Sequence, residues 1–471
     1  MKKITFTLLG FLMMGGLYAQ DIAKTWYGTL NIQGTELHVV LNITKTGDGY
    51  TTTMDSPDQG MKGMTTDKTS FSANQLIIEA SKLMLVYTGT FSAESNTITG
   101  IFKQGPNSLP LTLSNTAPEP KKVVPPEIRP QDPKDFPYQQ EDVTFDNVQA
   151  GIQLSGTLTL PASGKAKQIV VLISGSGPQN RNEEIVQFNH RPFLVWSDWL
   201  TRNGIAVLRY DDRGIGKSKG IYKTATTADF ASDAEAAVRY IKSRADLKDL
   251  KIGLIGHSEG GLIAPIVSNE DKAVQFIVLL AGPGIPIDAL LVEQNADQGR
   301  LAGAAADMIT MSSVTNKVLY SAVKKYGRLQ DVAFQSKIDS VMREALKSYP
   351  SAAFGGRSVD QVVSESKIQV SQPWFKYFVG MDPGMELKHV QCPVLALNGT
   401  LDSQVRSTTN LAGIKSSLQQ AGNKKFQVLA MPGLNHLFQK ANTGSVSEYK
   451  EIVETVNPDA LRKVSDWILK L

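Results

Sequence analysis

Residues 252–264 read IGLIGHSEGGLIA, an apolar run, a serine between glycines, and a second apolar run. The first run predicts a strand, and the residues after the glycines fit a helix. A serine in such a strand-to-helix turn is held exposed above the sheet, where a base can take its proton and make it a nucleophile. The stretch therefore predicts serine hydrolase chemistry at Ser258, with support required from elsewhere because the pattern is short.

The 471 residues divide by pattern into a short leader and two domains joined by a linker. Residues 1–20 have the basic start, short apolar run and small-residue exit of a secretory signal peptide. Residues 21–116 read as short alternating segments between turns, which predicts a small all-β domain, either a sandwich or a barrel. Residues 117–140 carry seven prolines interleaved with charges, so we expect an extended linker there.

From 141 to 471 the candidate strands alternate with helical patterns, which is typical of a largely parallel sheet. Between about 286 and 387 the strands stop and helical spacing takes over, so we predict an inserted helical cap. The expected fold is α/β, with an eight-stranded, mostly parallel sheet and a helical cap, preceded by the small all-β domain. The eight candidate strands are Val143–Asp146, Ile152–Leu160, Ile169–Ile173, Ile205–Arg209, Lys251–Ile255, Phe276–Leu280, Pro393–Leu397 and Phe426–Leu429.

Composition narrows the compartment and the class of partner. A formal charge of +4 leaves no basic footprint for nucleic acid. The single cysteine, Cys392, excludes an intramolecular disulfide and lies far from the signal peptide, where a lipid anchor would need it. After the signal peptide no segment is long and apolar enough to predict a membrane span. We therefore expect an exported protein, periplasmic or extracellular.

The base and the acid are sought at the carboxyl ends of the strands, where the functional loops of an open sheet lie. His436 follows the last candidate strand, and Asp402 follows the seventh through a glycine turn. Asp288, after the sixth strand, is the fallback acid. The other histidines lie in another domain, in a loop or helix, beside the nucleophile, or at the wrong end of a strand, and they are His38, His190, His257 and His389. A base and an orienting carboxylate are what serine activation requires.

The oxyanion of an acyl transfer reaction needs two preorganised donors. We expect one from the backbone amide of Glu259, directly after the nucleophile, and the second from the loop after the third strand. Ser176 is the first choice in that loop, and Gly177 is the second.

Histidine pairs at metal-ligand spacing are absent from the sequence, so we predict no catalytic metal and no cofactor.

Several motifs, in this order, resemble those of bacterial α/β-hydrolase fold serine esterases, and most of all the EstD-like carboxylesterases that carry a small extra domain ahead of the hydrolase. The motifs are residues 156–161 GTLTLP, 174–181 SGSGPQNR, 210–216 YDDRGIG, 256–261 GHSEGG, 397–405 LNGTLDSQV and 435–438 NHLF. The resemblance implies Ser258, Asp402 and His436 as nucleophile, acid and base of a carboxylesterase-type serine hydrolase. It implies short-chain acyl esters, small molecules, as substrates.

Substrate choice is expected to rest with the cap, where Trp374, Phe375 and Phe378 could line an acyl pocket, although aromatic residues at this spacing also fit a helix core. Two other functions stay open. A serine peptidase of exported peptides would use the same triad, and an aminopeptidase would need carboxylates such as Glu183 and Glu184 to hold the free amine. The third possibility is an envelope binding protein that docks through the N-terminal β domain.

Overall fold

The computed structural model describes residues 21–32, 35–47, 49–59, 61–104, 107–117, 129–354 and 357–471. The predicted signal peptide, residues 1–20, lies outside them. The chain divides into two compact units, Met1–Val124 and Pro125–Leu471. None of the helices in the described ranges combines the length and the apolar composition that a bilayer crossing requires.

Nine strands make up the described part of the first unit, and all of their pairings are antiparallel. They are β1 (Thr25–Ile32), β2 (Thr35–Thr46), β3 (Gly49–Ser56), β4 (Met61–Thr65), β5 (Lys68–Ser72), β6 (Gln75–Ala80), β7 (Leu85–Ser92), β8 (Thr97–Gln104) and β9 (Asn107–Ser114). The order is β2, β1, β9, β8, β7, β6, β5, β3 and β4, and a further pairing of β2 with β3 closes the ring. The small all-β domain is confirmed, and it is a barrel.

The barrel interior is filled by apolar side chains from alternate strand positions. In β7 the buried residues Leu85, Tyr87 and Phe91 alternate with exposed ones, because successive side chains of a strand point to opposite faces. The hydroxyl of Tyr87 donates to the backbone carbonyls of Ile98 and Leu111, at 3.0 and 3.2 Å. These bonds satisfy the one polar atom that this ring carries into the core.

Eight strands form the sheet of the second unit within the residues that the structure describes. They are β10 (Gln139–Asn147), β11 (Ile152–Leu160), β12 (Gln168–Ile173), β13 (Ala206–Tyr210), β14 (Lys251–His257), β15 (Val274–Leu280), β16 (Val394–Gly399) and β17 (Phe426–Met431). The order is β10, β11, β13, β12, β14, β15, β16 and β17. The two pairings of β11 are antiparallel and the others are parallel. The predicted eight-stranded, mostly parallel sheet is confirmed.

The α-helices of the second unit either cover the sheet or build the cap. They are α1 (Pro192–Arg202), α2 (Thr227–Ser243), α3 (Gly260–Glu270), α4 (Ile287–Leu301), α5 (Ala306–Tyr326), α6 (Asp331–Leu346), α7 (Val359–Val370), α8 (Pro373–Phe378), α9 (Pro383–Leu387), α10 (Ser407–Gln420) and α11 (Pro458–Ile468). Helices α2, α3 and α10 pack on one face through residues such as Ala234, Ile263 and Ile414. Helices α1 and α11 pack on the other face through Trp196 and Val464.

The cap consists of α4 to α9, which lie between β15 and β16, as the interruption of the strand pattern predicts. It has an apolar core of its own, to which Leu319, Phe334, Ile338 and Phe375 contribute. The cap begins directly after β15, so the chain leaves the sheet at the edge where the parallel strands end. That edge also carries the turn after β14.

The structure differs from the predicted linker at its C-terminal end. Arg129 is buried and donates to the hydroxyl of Thr455 at 3.1 Å and to the carbonyl of Phe188 at 3.0 Å. The side-chain amide of Gln131 donates to the carbonyl of Val456 at 2.7 Å. Residues 129–138 therefore belong to the second unit. Their polar side chains bind this proline-bearing segment to the rest of the unit, although the segment has no apolar core of its own.

The turn after β14 depends on glycine, which gives a first test. A Cβ atom at Gly260 would lie 2.2 Å from the carbonyl oxygen of Ile173, closer than atoms can approach without a backbone shift. We predict that Gly260→Ala lowers the free energy of unfolding by about 1–3 kcal/mol, measured by urea denaturation followed by circular dichroism.

Gly299 is the control position for this substitution. It lies inside α4, where an added Cβ atom finds no neighbour closer than 3.4 Å. Gly299→Ala should leave stability unchanged or raise it by up to about 1 kcal/mol, because alanine has the higher helix propensity. Equal effects of the two substitutions would contradict the steric explanation.

Candidate active site

Ser258 sits in a strained turn between β14 and α3. Its φ is +51°, a left-handed conformation that non-glycine residues rarely adopt. The backbone N–H of Ser258 donates to the carbonyl of Leu280 at 2.9 Å, and its carbonyl accepts from the N–H of Gly261 at 2.8 Å. These two bonds hold the strained residue at the carboxyl edge of the sheet.

His436 and Asp402 form a buried, hydrogen-bonded pair. The distance from Nδ1 of His436 to Oδ2 of Asp402 is 2.8 Å. The other carboxylate oxygen accepts from the backbone N–H groups of Gln404 and Val405, both at 2.8 Å. Since an ionised carboxylate only accepts, Nδ1 of His436 carries the proton and Nε2 remains free to act as a base.

Ser258 and His436 line the same cavity, which has a volume of about 240 Å³. The structure thus brings the three residues that the sequence orders as nucleophile, acid and base to one place. The apolar part of the cavity wall comes largely from the cap and the loops beside it, and it includes Ile185, Pro283, Leu290, Leu291, Trp374 and Phe378. The arrangement suits attack by a serine on a carbonyl that carries an apolar group.

Ser176 and Glu259, the predicted oxyanion donors, line this cavity as well. The backbone N–H groups of both residues make no hydrogen bond to any other described residue, whereas the N–H of Gly175 donates to Glu183 at 2.8 Å. Two unengaged donors beside a nucleophile can stabilise a developing oxyanion. Gly177, the second choice, does not line the cavity.

Asp212 supports the loop that carries Ser176. Its carboxylate accepts from the hydroxyl of Ser174 at 3.0 Å and from the backbone N–H of Gln179 at 2.9 Å, so both ends of the loop are tied to one residue. Burial raises the pKa of Asp212 to about 8. The sequence places Asp212 after the fourth candidate strand, and nothing in it shows that this carboxyl group faces the loop after β12.

His257 is held by two acceptors. Its Nδ1 lies 2.8 Å from a carboxylate oxygen of Glu183, and its Nε2 lies 3.0 Å from the backbone carbonyl of His436. The backbone carbonyl of His436 can only accept, so Nε2 of His257 carries a proton. Burial by itself lowers the pKa of His257, but the carboxylate of Glu183 outweighs it, and the pKa is raised. From the sequence, His257 is only a neighbour of Ser258, and nothing there indicates its bond to the carbonyl of His436.

The three aromatic candidates of the cap separate into two groups. Trp374 and Phe378 line the cavity and stack on each other, with ring centroids 4.7 Å apart. Phe375 instead faces the core of the cap, where its ring lies 5.8 Å from that of Tyr320. Of the two roles that the sequence leaves open for these aromatic residues, Phe375 takes the helix core and does not line the pocket, because it points away from the side of α8 that carries the other two.

The remaining candidates are engaged elsewhere. Asp288 pairs with Lys324 at 2.9 Å inside the cap and does not approach His436. His190 is buried against the carbonyl of Thr455 at 2.9 Å, and burial lowers its pKa to about 3. Across the described residues, no three metal-ligating side chains gather in one place.

The raised pKa of Asp212 gives a pH test. A carboxyl that binds its proton more tightly in the folded chain than in the unfolded one stabilises the fold below its ordinary pKa of 3.8, and this contribution is lost as the pH rises through about 8. We predict that the free energy of unfolding of Asp212→Asn falls less than that of the wild type between about pH 5 and about pH 8.5, measured by urea denaturation.

Asp246→Asn is the matched control. Asp246 is exposed, and its hydrogen bonds with Arg244 lower its pKa, so it does not titrate in this range. The control should therefore keep the pH dependence of the wild type. An unchanged pH dependence in Asp212→Asn would mean that this carboxyl is ionised throughout.

One of the relatives carries the name of an esterase, and another is uncharacterized. Esterase EstD of Thermotoga maritima is 23% identical over 347 residues, which cover 72% of this chain and 69% of EstD. The predicted resemblance to EstD-like carboxylesterases is confirmed by this relative. The uncharacterized protein YfhR of Escherichia coli K12 is 27% identical over 145 residues, which are 30% of this chain and 47% of YfhR.

Solved structures and a family model complete the comparison. An esterase of Pyrococcus furiosus is 17% identical and covers 72% of this chain and 93% of its own, with a TM-score of 0.43. This score is too low to bear on function.

The model of the Hydrolase_4 family, described as serine aminopeptidase, S33, matches residues 164–440. Because this match spans more than half of the chain, the protein belongs to the Hydrolase_4 family of α/β hydrolases.

Proposed function

We propose that this protein is an exported serine hydrolase that cleaves short-chain carboxylic esters through an acyl-enzyme. The observation that carries the proposal is the hydrogen-bonded pair of His436 and Asp402, which opens with Ser258 into one small and largely apolar cavity. A nucleophile, a base and an orienting acid are the parts that acyl transfer needs. The esterase name of the relative EstD supports the substrate class.

The proposed reaction has two halves. The Oγ atom of Ser258 attacks the ester carbonyl while Nε2 of His436 takes its proton, and Asp402 stabilises the resulting imidazolium. The negative oxygen is held by the backbone N–H groups of Ser176 and Glu259. The alcohol leaves with the proton from His436, and a water molecule then attacks the acyl-enzyme by the same route.

Hydrolysis of peptides is the second candidate, favoured by the family description as serine aminopeptidase. An aminopeptidase needs a free carboxylate to hold the amine of its substrate. The carboxylates among the cavity-lining residues are those of Glu183 and Glu259, and internal donors occupy both. This occupation favours esters over peptides with a free amino end, because a bound amine would have to displace these donors.

Activity assays with matched variants test the proposal. We expect turnover of p-nitrophenyl acetate and butyrate and none of aminoacyl p-nitroanilides. Ser258→Ala and His436→Ala should each reduce kcat on the order of 10³-fold or more, since each removes a member of a unit that acts together. Circular dichroism should show an unchanged fold.

Ser268→Ala is the control for these variants. Ser268 lies in α3, the helix that follows the turn at Ser258. Its hydroxyl donates to the carbonyl of Pro265 at 3.0 Å, and Ser268 does not line the cavity. Activity should persist in this variant. Amide cleavage that depends on Ser258 would replace the esterase proposal by the peptidase, and full ester turnover in Ser258→Ala would reject Ser258 as the nucleophile.

Export is proposed on the pattern of residues 1–20 alone. We expect the mature chain to begin at Gln20 or Asp21, because small residues before a cut follow the apolar run of a signal peptide. Amino-terminal sequencing of the protein recovered from the periplasm and the medium of an expressing bacterium measures this. A chain that keeps Met1 and stays in the cytoplasm would contradict export.

A further inference from the structure

The side chain of Glu259 holds together three parts of the site. This carboxylate directly follows Ser258 and is almost fully buried, with 2% of the residue exposed. It accepts from the hydroxyl of Ser176 at 2.8 Å, from the hydroxyl of Thr227 at 2.7 Å, and from the indole N–H of Trp374 at 2.9 Å. A buried carboxylate is costly unless donors compensate it, and here three side chains do so.

The three donors belong to separate elements. Ser176 lies in the loop that follows β12, Thr227 is the first residue of α2, and Trp374 is in α8 of the cap. Glu259 therefore ties the loop of the oxyanion donors to a wall of the cavity. Burial raises the pKa of the Glu259 carboxyl, and the bonds donated by Thr227, Trp374 and Ser176 oppose that rise. Hydrogen bonds to a charged acceptor are the stronger ones, so this tie fixes both sides in position when the carboxyl is ionised.

The bond from Trp374 decides the shape of the cavity wall. Its indole ring stacks on Phe378 at an interplanar angle of 19°, and both rings face the catalytic cavity. Stacking alone permits the indole to slide, whereas a second contact through N–H to both oxygens of Glu259 fixes its plane. The two rings thus form a fixed part of the wall of the cavity.

Other polar bonds link the cap to the segment at the start of α10, the helix that packs on the sheet. The guanidinium of Arg406, just ahead of α10, makes two hydrogen bonds of 2.8 Å to Asp297 of α4. The hydroxyl of Thr409 in α10 donates to the carboxylate of Glu293 in α4 at 2.7 Å. Loss of the indole bond should therefore free the wall without releasing the cap.

We infer that the carboxylate of Glu259 is a positioning and specificity-determining group: by holding Trp374 and Ser176 at once, it keeps the acyl pocket short while the oxyanion donors stay aligned. This inference rests on the proposed ester hydrolysis. The carboxylate acts through its neighbours, separately from the backbone N–H of the same residue. The ligand class that it selects is acyl groups of a few carbons.

Two variants and a control separate this role from simple support of the fold. Trp374→Phe keeps an aromatic wall and removes the donor, and Glu259→Gln keeps the size of the side chain and replaces one acceptor oxygen by a donor. Trp199→Phe is the control, since its indole N–H donates to the hydroxyl of Ser465 at 3.2 Å on the far side of the sheet. The readout is kcat/KM for p-nitrophenyl acetate and octanoate.

We expect the ratio of octanoate to acetate kcat/KM to rise about tenfold in Trp374→Phe and in Glu259→Gln, the change that loss of one hydrogen bond to a charged group would produce. Glu259→Gln should also lower kcat on acetate, because Ser176 loses its anchor, whereas Trp374→Phe should leave kcat closer to that of the wild type. The double variant should show less than the product of the two effects on the ratio, since both remove the same bond.

The ratio of octanoate to acetate kcat/KM in the variants tests the inference, and the activity of the wild type tests the proposed function. A ratio that stays unchanged in Trp374→Phe, or that changes equally in Trp199→Phe, would overturn the inference while leaving the esterase intact. Multiplicative effects in the double variant would do the same. If Glu259→Gln fails to fold, Trp374→Phe decides alone. A wild-type protein that turns over neither ester would reject the proposed function, and with it this inference.

Discussion

The left-handed backbone of Ser258 is the constraint on which the geometry of the site depends. A residue with a φ of +51° at the end of β14 points its side chain out of the sheet and starts α3 within two residues. The turn is possible because Gly256 and Gly260 leave room for backbone atoms that a Cβ would strike at 2.0 and 2.2 Å. The strain is balanced by the neighbouring strand, through the bond to Leu280.

Buried carboxyl groups hold the loops around this turn. Asp402 orients His436, Glu183 joins Gly175 to His257, Asp212 spans the loop after β12, and Glu259 reaches the cap. Each would be costly to bury alone, and each is surrounded by donors from other parts of the chain. The donors are therefore fixed as well, and Ser258 and His436 lie on a rigid support.

Much of the frame could be predicted because strand patterns are local. Ile152–Leu160 alternates apolar and polar residues, and Lys251–His257 carries an apolar run. Asp402 and His436 follow Val394–Gly399 and Phe426–Met431, two parallel neighbours that end at one edge of the sheet. The bond between Glu183 and His257 and the bonds of Asp212 to Ser174 and Gln179 could not be predicted, because these partners lie 74, 38 and 33 positions apart in the chain. The sequence suggested Glu183 for a free amine, and the structure gives it two internal donors instead.

The aromatic residues of α8 in the cap show that a local pattern does not decide which side chains face the cavity. A spacing of four puts Trp374 and Phe378 on one side of α8, and Phe375 lies about 100° away around the axis. Which side faces the cavity depends on how the cap packs on the sheet. By itself the sequence determined the elements, the turn at Ser258 and the order of the loops, because periodicity and turn chemistry act over a few residues. Only the tertiary structure decided which carboxylates meet which donors and which rings line the cavity, because those contacts join segments that the chain separates.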